Sequence, residues 1–237
     1  MLKITNYTKK YDERKIAVNN LSLTVEKGDL FAFIGHNGAG KSTTIKSIAG
    51  ILPFDEGEIL IDGVSIVKDP VKCKKMIAYI PDNPDLYESL TGIDYLNFIS
   101  DIYDVSVDKR KTIIEKYATL FGIKDVLNNY IGTYSHGMRQ KLAIVSALVH
   151  EPKLLILDEP FVGLDPLAAY SVKEMMREFC ANGGAIFFST HVLEVAEKLC
   201  NKIAIIKEGK LIVSGSMDEV TKNASLEDVF LELANHE

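Results

Sequence analysis

The chain has 237 residues, of which 47% are hydrophobic and 25% are charged, so it is long enough to bury a sizeable core. Its formal net charge of −6 argues against nucleic acid as a partner, because nucleic-acid binders usually carry a basic face. The first residues lack the apolar core of a signal peptide, and no apolar run approaches the roughly 18 residues that span a bilayer. Three scattered cysteines without Cys-x-x-Cys spacing are typical of reduced thiols in a cytosolic protein, and we expect no Cys/His metal site.

The first part of the chain predicts strands on either side of a glycine-rich loop. Apolar and polar residues alternate over 21–25, which indicates a half-buried strand, and the continuous apolar run over 30–34 indicates a buried one. The other elements predicted in this part are a helix over about 41–50, a strand with a tight turn over 58–63, and a short strand over 76–80.

The middle of the chain, residues 85–150, has apolar residues at helical spacing and predicts a mostly helical lobe. Strands and helices alternate again after it, which favours a parallel sheet, so the lobe is expected to be inserted into an α/β core. The elements predicted there are strands over 154–158, 185–189, 202–206 and 210–213, helices over about 167–181 and 192–200, and a last helix capped by Ser225.

The loop after the buried strand fits the phosphate-binding pattern G-x-x-x-x-G-K-[ST]. Its glycines let backbone N–H groups converge on phosphate oxygens, and the N-terminus of the following helix adds a favourable dipole. Lys41 supplies a mobile positive charge for the phosphates, and Ser42 supplies a hydroxyl for Mg²⁺. A flexible glycine-rich turn is the alternative, which the strand–loop–helix context disfavours. The nucleotide-binding candidates in this loop are Gly35, His36, Asn37, Gly38, Ala39, Gly40, Lys41, Ser42 and Thr43.

Two acids, Asp158 and Glu159, end a later apolar strand. An acid at the carboxyl end of a strand beside a phosphate loop suits Mg²⁺ coordination, and the next acid is placed to polarise an attacking water. Any single Asp-Glu pair is also compatible with solvated charges at a strand end. In combination with Lys41 and Ser42, however, the pair predicts a site for a nucleotide and Mg²⁺.

Two other polar segments have both a structural and a functional interpretation. Ser135 and Gly137 lie in a turn before an apolar helix, so the turn is either a simple helix cap or a second anion-binding helix N-terminus. His191 follows another buried strand. A lone histidine is more often structural, but the carboxyl end of a sheet strand in a phosphate-binding fold is a favourable place for a functional one.

In this order, the motifs resemble the ATP-binding cassette (ABC) ATPase family over nearly the whole chain. The segment 134–138 resembles the signature motif of that family, and the segment 163–165 resembles its D-loop. Tyr11 stands where the family has an aromatic residue that stacks on adenine. The nearby Tyr7 leaves open that Tyr11 is an ordinary tyrosine of the core or of an edge strand.

The resemblance implies an α/β fold with a P-loop NTPase (RecA-like) core, a parallel sheet, an antiparallel β subdomain and an inserted α-helical subdomain. The expectation is one ABC ATPase domain over 1–237. Its expected parts are an α/β core with the β subdomain over 1–84 and 151–215, a helical signature subdomain over 85–150, and a C-terminal helical tail over 216–237.

The resemblance also implies a mechanism in which two such domains pair head to tail around two ATP molecules. Ser135 and Gly137 of one copy would close over the γ-phosphate held by the phosphate loop of the other. Glu159 would act as general base, and His191 would contact the γ-phosphate. Asp165 would couple the two nucleotide sites, and Asp158 with Ser42 would hold Mg²⁺.

Three positions depart from the family pattern. Asp82 stands where the family usually has a glutamine that touches Mg²⁺, so we expect Asp82 to supply an oxygen ligand and an added negative charge. His136 and Met138 replace the usual Gly and Gln of the signature, and Val162-Gly163 replaces Ser-Ala of the D-loop. Because Lys41, Glu159 and His191 are all present, an active ATPase is still expected.

For the function, the segment 79–92 resembles the exporter-like (ABC-2 type) branch of the family. The resemblance implies an ATP-hydrolysing subunit, peripheral on the cytoplasmic face of the cell membrane, that works with transmembrane permease subunits as separate chains. A homodimer is the simpler expectation, and a heterodimer with a related cassette stays open. The alternatives are a soluble ABC ATPase that acts on DNA or ribosomes and a nucleotide-dependent regulator without a transport role.

Overall fold

The computed structural model describes residues 1–12, 15–222 and 224–235. Over these residues the strands are β1 (Leu2–Asp12), β2 (Lys15–Val25), β3 (Leu30–Ile34), β4 (Glu56–Ile61), β5 (Val64–Ser65), β6 (Ile77–Ile80), β7 (Leu154–Asp158), β8 (Ala185–Thr190), β9 (Lys202–Lys207) and β10 (Lys210–Ser216). The helices are α1 (Lys41–Ile48), α2 (Pro70–Met76), α3 (Gly92–Ile102), α4 (Val107–Leu120), α5 (His136–Leu148), α6 (Pro166–Ala181), α7 (Leu193–Leu199), α8 (Met217–Thr221) and α9 (Leu226–Asn235).

The larger sheet forms the centre of the fold, with strand order β10-β9-β3-β8-β7-β6. Its neighbours pair in parallel from β9 to β6, and only β10 runs antiparallel, through a hairpin with β9. The parallel core therefore places the carboxyl ends of β3, β7 and β8 at one edge of the sheet, where ligands bind in open α/β folds.

The smaller sheet is antiparallel and has the order β2-β1-β4-β5. Helices α3, α4 and α5, with two short 3-10 turns, fill the middle of the chain. The expected fold class, a P-loop NTPase core with an antiparallel β subdomain and a helical subdomain, is confirmed. Residues 13, 14, 223, 236 and 237, which the expected core and tail ranges include, lie outside the described residues.

The central strands bury side chains on both faces, as expected for strands of a parallel sheet. Phe31, Phe33 and Phe187 point to one side, where they join the core under the smaller sheet and α1. Ala32 and Phe188 point to the other side and join the core formed with the helices. The two cores follow directly from the alternation of side chains along a strand.

Most predicted elements are found within a few residues of their expected ends, although β2 begins six residues before the strand predicted over 21–25. Among the described elements, β1, β5, α2 and α8 were not predicted. The two helices are too short, at 7 and 5 residues, to show an apolar period. Their caps were readable in the sequence all the same, since Asp69 caps α2 ahead of Pro70 and Ser216 forms a capping box with Glu219. No helix in the described ranges has the length and apolar character needed to cross a membrane.

Replacing Phe187 by alanine is expected to lower the free energy of unfolding by about 3–5 kcal/mol, because the side chain is fully buried. Its ring lies 5.6 Å from that of Phe31 and 5.3 Å from that of Phe33, and alanine would leave a cavity between them. Urea titration followed by circular dichroism measures the change. Phe98→Ala on α3, a ring that is 43% exposed, serves as the matched control and should cost at most about 1.5 kcal/mol. Equal losses for the two variants would contradict this account of the core.

Candidate functional site

A cleft of about 460 Å³ opens at the carboxyl edge of the large sheet and is lined by residues from distant parts of the chain. The phosphate loop and the start of α1 form its floor, and the ends of β1 and β7, the start of β2 and the β9–β10 turn form its walls. The lining residues are Tyr11, Lys15, Ile16, Ala17, Asn37, Gly38, Gly40, Lys41, Ser42, Thr43, Asp82, Asp158, Glu159 and Glu208.

Two positions of the phosphate loop accept only glycine, one for its backbone conformation and close packing and the other for close packing alone. Gly40, the N-cap of α1, has φ 109°, and a Cβ there would lie 2.7 Å from the carbonyl oxygen of Ala17. A Cβ on Gly35 would lie 2.4 Å from the carbonyl oxygen of Ile206. The loop is thus packed tightly between β2 and β9. The N–H of Gly209 fixes it further by donating to the carbonyl of Ala39 at 2.9 Å.

Lys41 is 7% exposed and carries the positive charge at the base of the cleft. Its Nζ donates to the carbonyl oxygens of Gly35 at 2.6 Å and of His36 at 3.3 Å, both within the same loop. Burial lowers the pKa of Lys41, while the nearby carboxylates of Glu159 and Asp158 act in the opposite direction. A phosphate that entered the cleft would be a strong partner for this buried cation.

Asp158 is the last residue of β7 and Glu159 is the next residue, so both lie beside the phosphate loop. Ser189 on the neighbouring strand β8 forms hydrogen bonds with both residues. The Ser189 hydroxyl donates to the carboxylate of the buried Asp158. The backbone N–H of Glu159 donates to Oγ and to the carbonyl oxygen of Ser189, at 3.1 and 3.2 Å. These bonds stabilise Glu159 in the left-handed region, at φ 49°, a strained conformation often found in active sites.

His191 lies one residue beyond the end of β8, and its Nδ1 is 2.9 Å from Oε1 of Glu159. The imidazole is 59% exposed, whereas the glutamate side chain is only 17% exposed. The structure thus brings the two predicted catalytic residues together, with the glutamate inside the cleft and the histidine at its rim.

Tyr11 and Tyr7 occupy different environments, although the sequence left open whether Tyr11 is a ligand-binding residue or an ordinary tyrosine of the core or of an edge strand. The Tyr11 ring is 54% exposed and lines the cleft, with its hydroxyl 3.2 Å from Oγ1 of Thr43. Tyr7 is fully buried and donates its hydroxyl to Oγ of Ser47 at 2.9 Å. Only Tyr11 therefore offers a ring face to a ligand in the cleft.

Asp82, which the family resemblance assigned to the Mg²⁺ site, also lines the cleft. Its Oδ1 accepts the N–H of Asn83 at 2.9 Å. Together, the hydroxyl of Ser42 and the carboxylates of Asp82 and Asp158 form a set of oxygen donors, the ligands that Mg²⁺ prefers. In the described ranges, no group of three or more His, Cys, Asp or Glu side chains could hold a metal ion alone.

Ser135, Gly137 and Asp165 do not line the cleft. Ser135 caps α5 by accepting the N–H of Met138 at 3.3 Å, and Asp165 caps α6 by accepting the N–H of Ala168 at 2.9 Å. The Ala168 N–H is also the main reason that the pKa of Asp165 is lowered.

The signature turn and the 163–165 loop nevertheless lie against each other. A Cβ on Gly163 would lie 2.5 Å from the His136 ring, and one on Gly137 would lie 3.5 Å from the Gly163 carbonyl oxygen. These predicted residues thus form a second cluster, separate from the cleft.

Sequence reasoning missed several residues of the site. Lys15, Ile16 and Ala17 reach the cleft from β2, and nothing in the local sequence indicates that they do so. Ser189 could have been found, because it precedes His191 by two residues at the end of a buried strand, directly opposite Asp158 in the sheet.

The family model described as "ABC transporter" matches residues 18–162. An uncharacterised ABC transporter ATP-binding protein of Bacillus subtilis (strain 168), YhcH, is 39% identical over 90% of this chain and 68% of its own length. A solved ATP-binding subunit of an ABC transporter superposes with a TM-score of 0.95 at 34% identity, covering 99% of this chain and 100% of its own. The structure of cbiO1 from Clostridium perfringens, described as part of the ABC transporter complex cbiONQ, superposes with a TM-score of 0.82 at 28% identity, covering 98% of this chain and 95% of its own.

The family match spans more than half of the chain, and the relatives match it over nearly its full length. The chain belongs to the ABC transporter family and is an ATP-binding subunit with the ATPase domain of that family.

Proposed function

We propose that this chain binds ATP with Mg²⁺ in the cleft and hydrolyses it to drive export of a substrate through separate transmembrane subunits. The observation that carries the proposal is the contact between His191 and Glu159, because Glu159 lines the same cleft as Lys41. A base, its histidine partner and a buried cation beside a phosphate loop are what phosphate cleavage requires.

The roles in binding follow from the geometry of the cleft. The backbone N–H groups from Gly38 to Ser42 would hold the phosphates, Lys41 would exchange its loop carbonyls for phosphate oxygens, and the Tyr11 ring would stack on adenine. The metal, held by Ser42, Asp158 and Asp82 together with phosphate oxygens, would supply positive charge against the charge that develops on the phosphates.

The roles in hydrolysis belong to the residues around Glu159. The carboxylate would take a proton from the attacking water, and His191 would hold that water and the γ-phosphate in line. Ser189 is a positioning residue, because it orients the Asp158 carboxylate and the Glu159 backbone without facing the cleft itself.

The second cluster supports a dimer in which each copy completes the site of the other. Ser135 and Gly137 lie at the N-terminus of α5, which favours anions, yet the cluster does not line the cleft of its own chain. In a head-to-tail pair they would close over the γ-phosphate of the partner, with Asp165 between the two sites. ATP would then favour the closed pair, and hydrolysis would release it. A pair of identical chains is the simplest such assembly.

The helical lobe supplies the surface proposed for the membrane partner. Tyr87, Phe98 and Ile102 are 59%, 43% and 55% exposed, and the rings of Tyr87 and Phe98 lie 5.9 Å apart. Tyr87 lies within the segment 79–92 that resembles the exporter-like (ABC-2 type) branch, and Phe98 and Ile102 follow that segment on α3. The relative cbiO1 is described as part of a transporter complex. Docking on permease subunits would place the chain on the cytoplasmic face of the cell membrane.

Replacing Glu159 by glutamine is expected to lower kcat for ATP hydrolysis by about 10²- to 10⁴-fold while ATP still binds, because the amide is not a base. Steady-state phosphate release and size exclusion with MgATP measure the two effects, and the variant should accumulate as a dimer. Glu174→Gln, which changes an exposed carboxylate on α6, is the matched control and should hydrolyse ATP at the native rate. Native turnover by Glu159→Gln would assign the base to another group.

Replacing Asp82 by glutamine is expected to raise the Mg²⁺ concentration for half-maximal ATPase activity, on the order of tenfold, because a charged oxygen donor is lost. Mg²⁺ titration at saturating ATP measures the shift. Asp85→Gln, three residues further on and outside the lining of the cleft, should leave the titration unchanged. Identical curves for Asp82→Gln and the native chain would remove Asp82 from the metal site.

The transporter assignment is tested by affinity purification of tagged Glu159→Gln from detergent-solubilised native membranes with MgATP, followed by mass spectrometry. The expected result is a multi-span membrane protein recovered in stoichiometric amount. A dimer that is recovered without any membrane protein would contradict the proposal and favour a soluble ATPase or a nucleotide-dependent regulator. Tagged Tyr87→Ser in the same experiment tests the docking surface, since it should recover less of the membrane protein.

A further inference from the structure

The C-terminal helix α9 reaches the phosphate loop. The ring of Phe230 packs on the imidazole of His36, with the centroids 4.8 Å apart and the planes inclined by 55°. Ile205, Ile206 and Leu233 surround this contact. It is therefore an apolar contact between the C-terminal helix and a residue in the middle of the phosphate-binding pattern.

The packing of Phe230 on His36 can affect the conformation of the phosphate loop, because the His36 backbone forms hydrogen bonds within that loop. Its carbonyl oxygen accepts the N–H of Ala39 at 3.1 Å, which closes the turn of the loop. The same oxygen accepts from Nζ of Lys41 at 3.3 Å. Holding the His36 side chain therefore also constrains the peptide group that shapes the loop and contacts its lysine.

Helix α9 is itself firmly anchored, so Phe230 has a fixed position. Leu226 is fully buried, and its N–H donates to Oε1 of Glu197 on α7 at 3.2 Å. Ser225 caps the helix by accepting the N–H of Asp228 at 3.0 Å. Helix α9 therefore contacts both the phosphate loop and α7, the helix that begins two residues after His191.

We propose that α9 positions the phosphate loop: Phe230, by packing on His36, holds the loop in the shape that receives the phosphates and thereby sets the affinity for nucleotide. The inference rests on the proposed nucleotide site. A loop that is ordered before binding does not pay that ordering cost when the nucleotide arrives, so affinity rises. Phe230 has no contact with Glu159 or His191 in the described structure and should have little effect on the chemical step.

The test compares Phe230→Ala with Leu231→Ala in the full-length protein. Leu231 is the next residue of α9 and is 51% exposed, so its loss removes a similar apolar group without touching the loop. The dissociation constant for MgADP by calorimetry and the KM and kcat for ATP are measured. Phe230→Ala should raise the dissociation constant and KM about three- to tenfold, the range expected for an aromatic contact, with kcat within about twofold. Leu231→Ala should match the native chain.

Two further variants separate positioning of the loop from general damage to the helix. Phe230→Tyr keeps the ring and should restore native affinity. In a His36→Ala background, Phe230→Ala should weaken MgADP binding no further, because the two residues act through one contact. If Phe230→Ala unfolds, Phe230→Leu retains the apolar contact with the core and allows the same comparison.

The proposal is overturned if Phe230→Ala binds MgADP as tightly as Leu231→Ala, or if the loss of affinity persists undiminished in the His36→Ala background. Either result leaves the nucleotide site intact, because the native chain still binds. Failure of the native chain to bind MgADP would instead contradict the proposed nucleotide site itself.

Discussion

The parallel register of β3, β8 and β7 is the constraint on which the rest of the site depends. Ile34 lies opposite Thr190, and Asp158 lies opposite Ser189, so the three strands end side by side. The phosphate loop, the acidic pair and His191 each begin where one of these strands stops. Their meeting is therefore a consequence of backbone hydrogen bonding in the sheet, and the side chains only refine it.

The charged side chains of the cleft also meet at the carboxyl edge of the large sheet. Lys41 is a buried cation that donates to its own loop, and the carboxylates of Asp158 and Glu159 lie nearby at the end of β7. Such an arrangement is balanced by a ligand that brings negative phosphate to the lysine and positive metal to the carboxylates. The proposed ligand, ATP with Mg²⁺, has both charges.

The division of the predicted residues into two clusters bears on how the chain works. The cleft contains the groups proposed for binding and for water activation, while the signature turn and the 163–165 loop pack against each other as a second group. In the proposed pair of chains, each site is complete only when the copies close. Helix α9 adds a constraint from within the same chain, since it packs on the phosphate loop without depending on the partner.

The sequence by itself determined the phosphate loop, the acidic pair at the end of β7, His191 after β8 and the alternation of strands and helices. Each is encoded locally, in glycine spacing, in apolar runs or in the residue that follows a strand. The ends of β7 and the start of α1 agree with the predicted ones because a charged residue or a glycine marks them.

Only the tertiary structure decided which distant residues join these motifs. Lys15, Ile16 and Ala17 enter the cleft because β2 lies over the loop, and Phe230 meets His36 because α9 packs beside α7. The same is true of Tyr11 and Tyr7, four residues apart on one strand, of which one lines the cleft and the other is buried. Such contacts come from the packing of elements that are far apart in the chain, and no local pattern of residues encodes them.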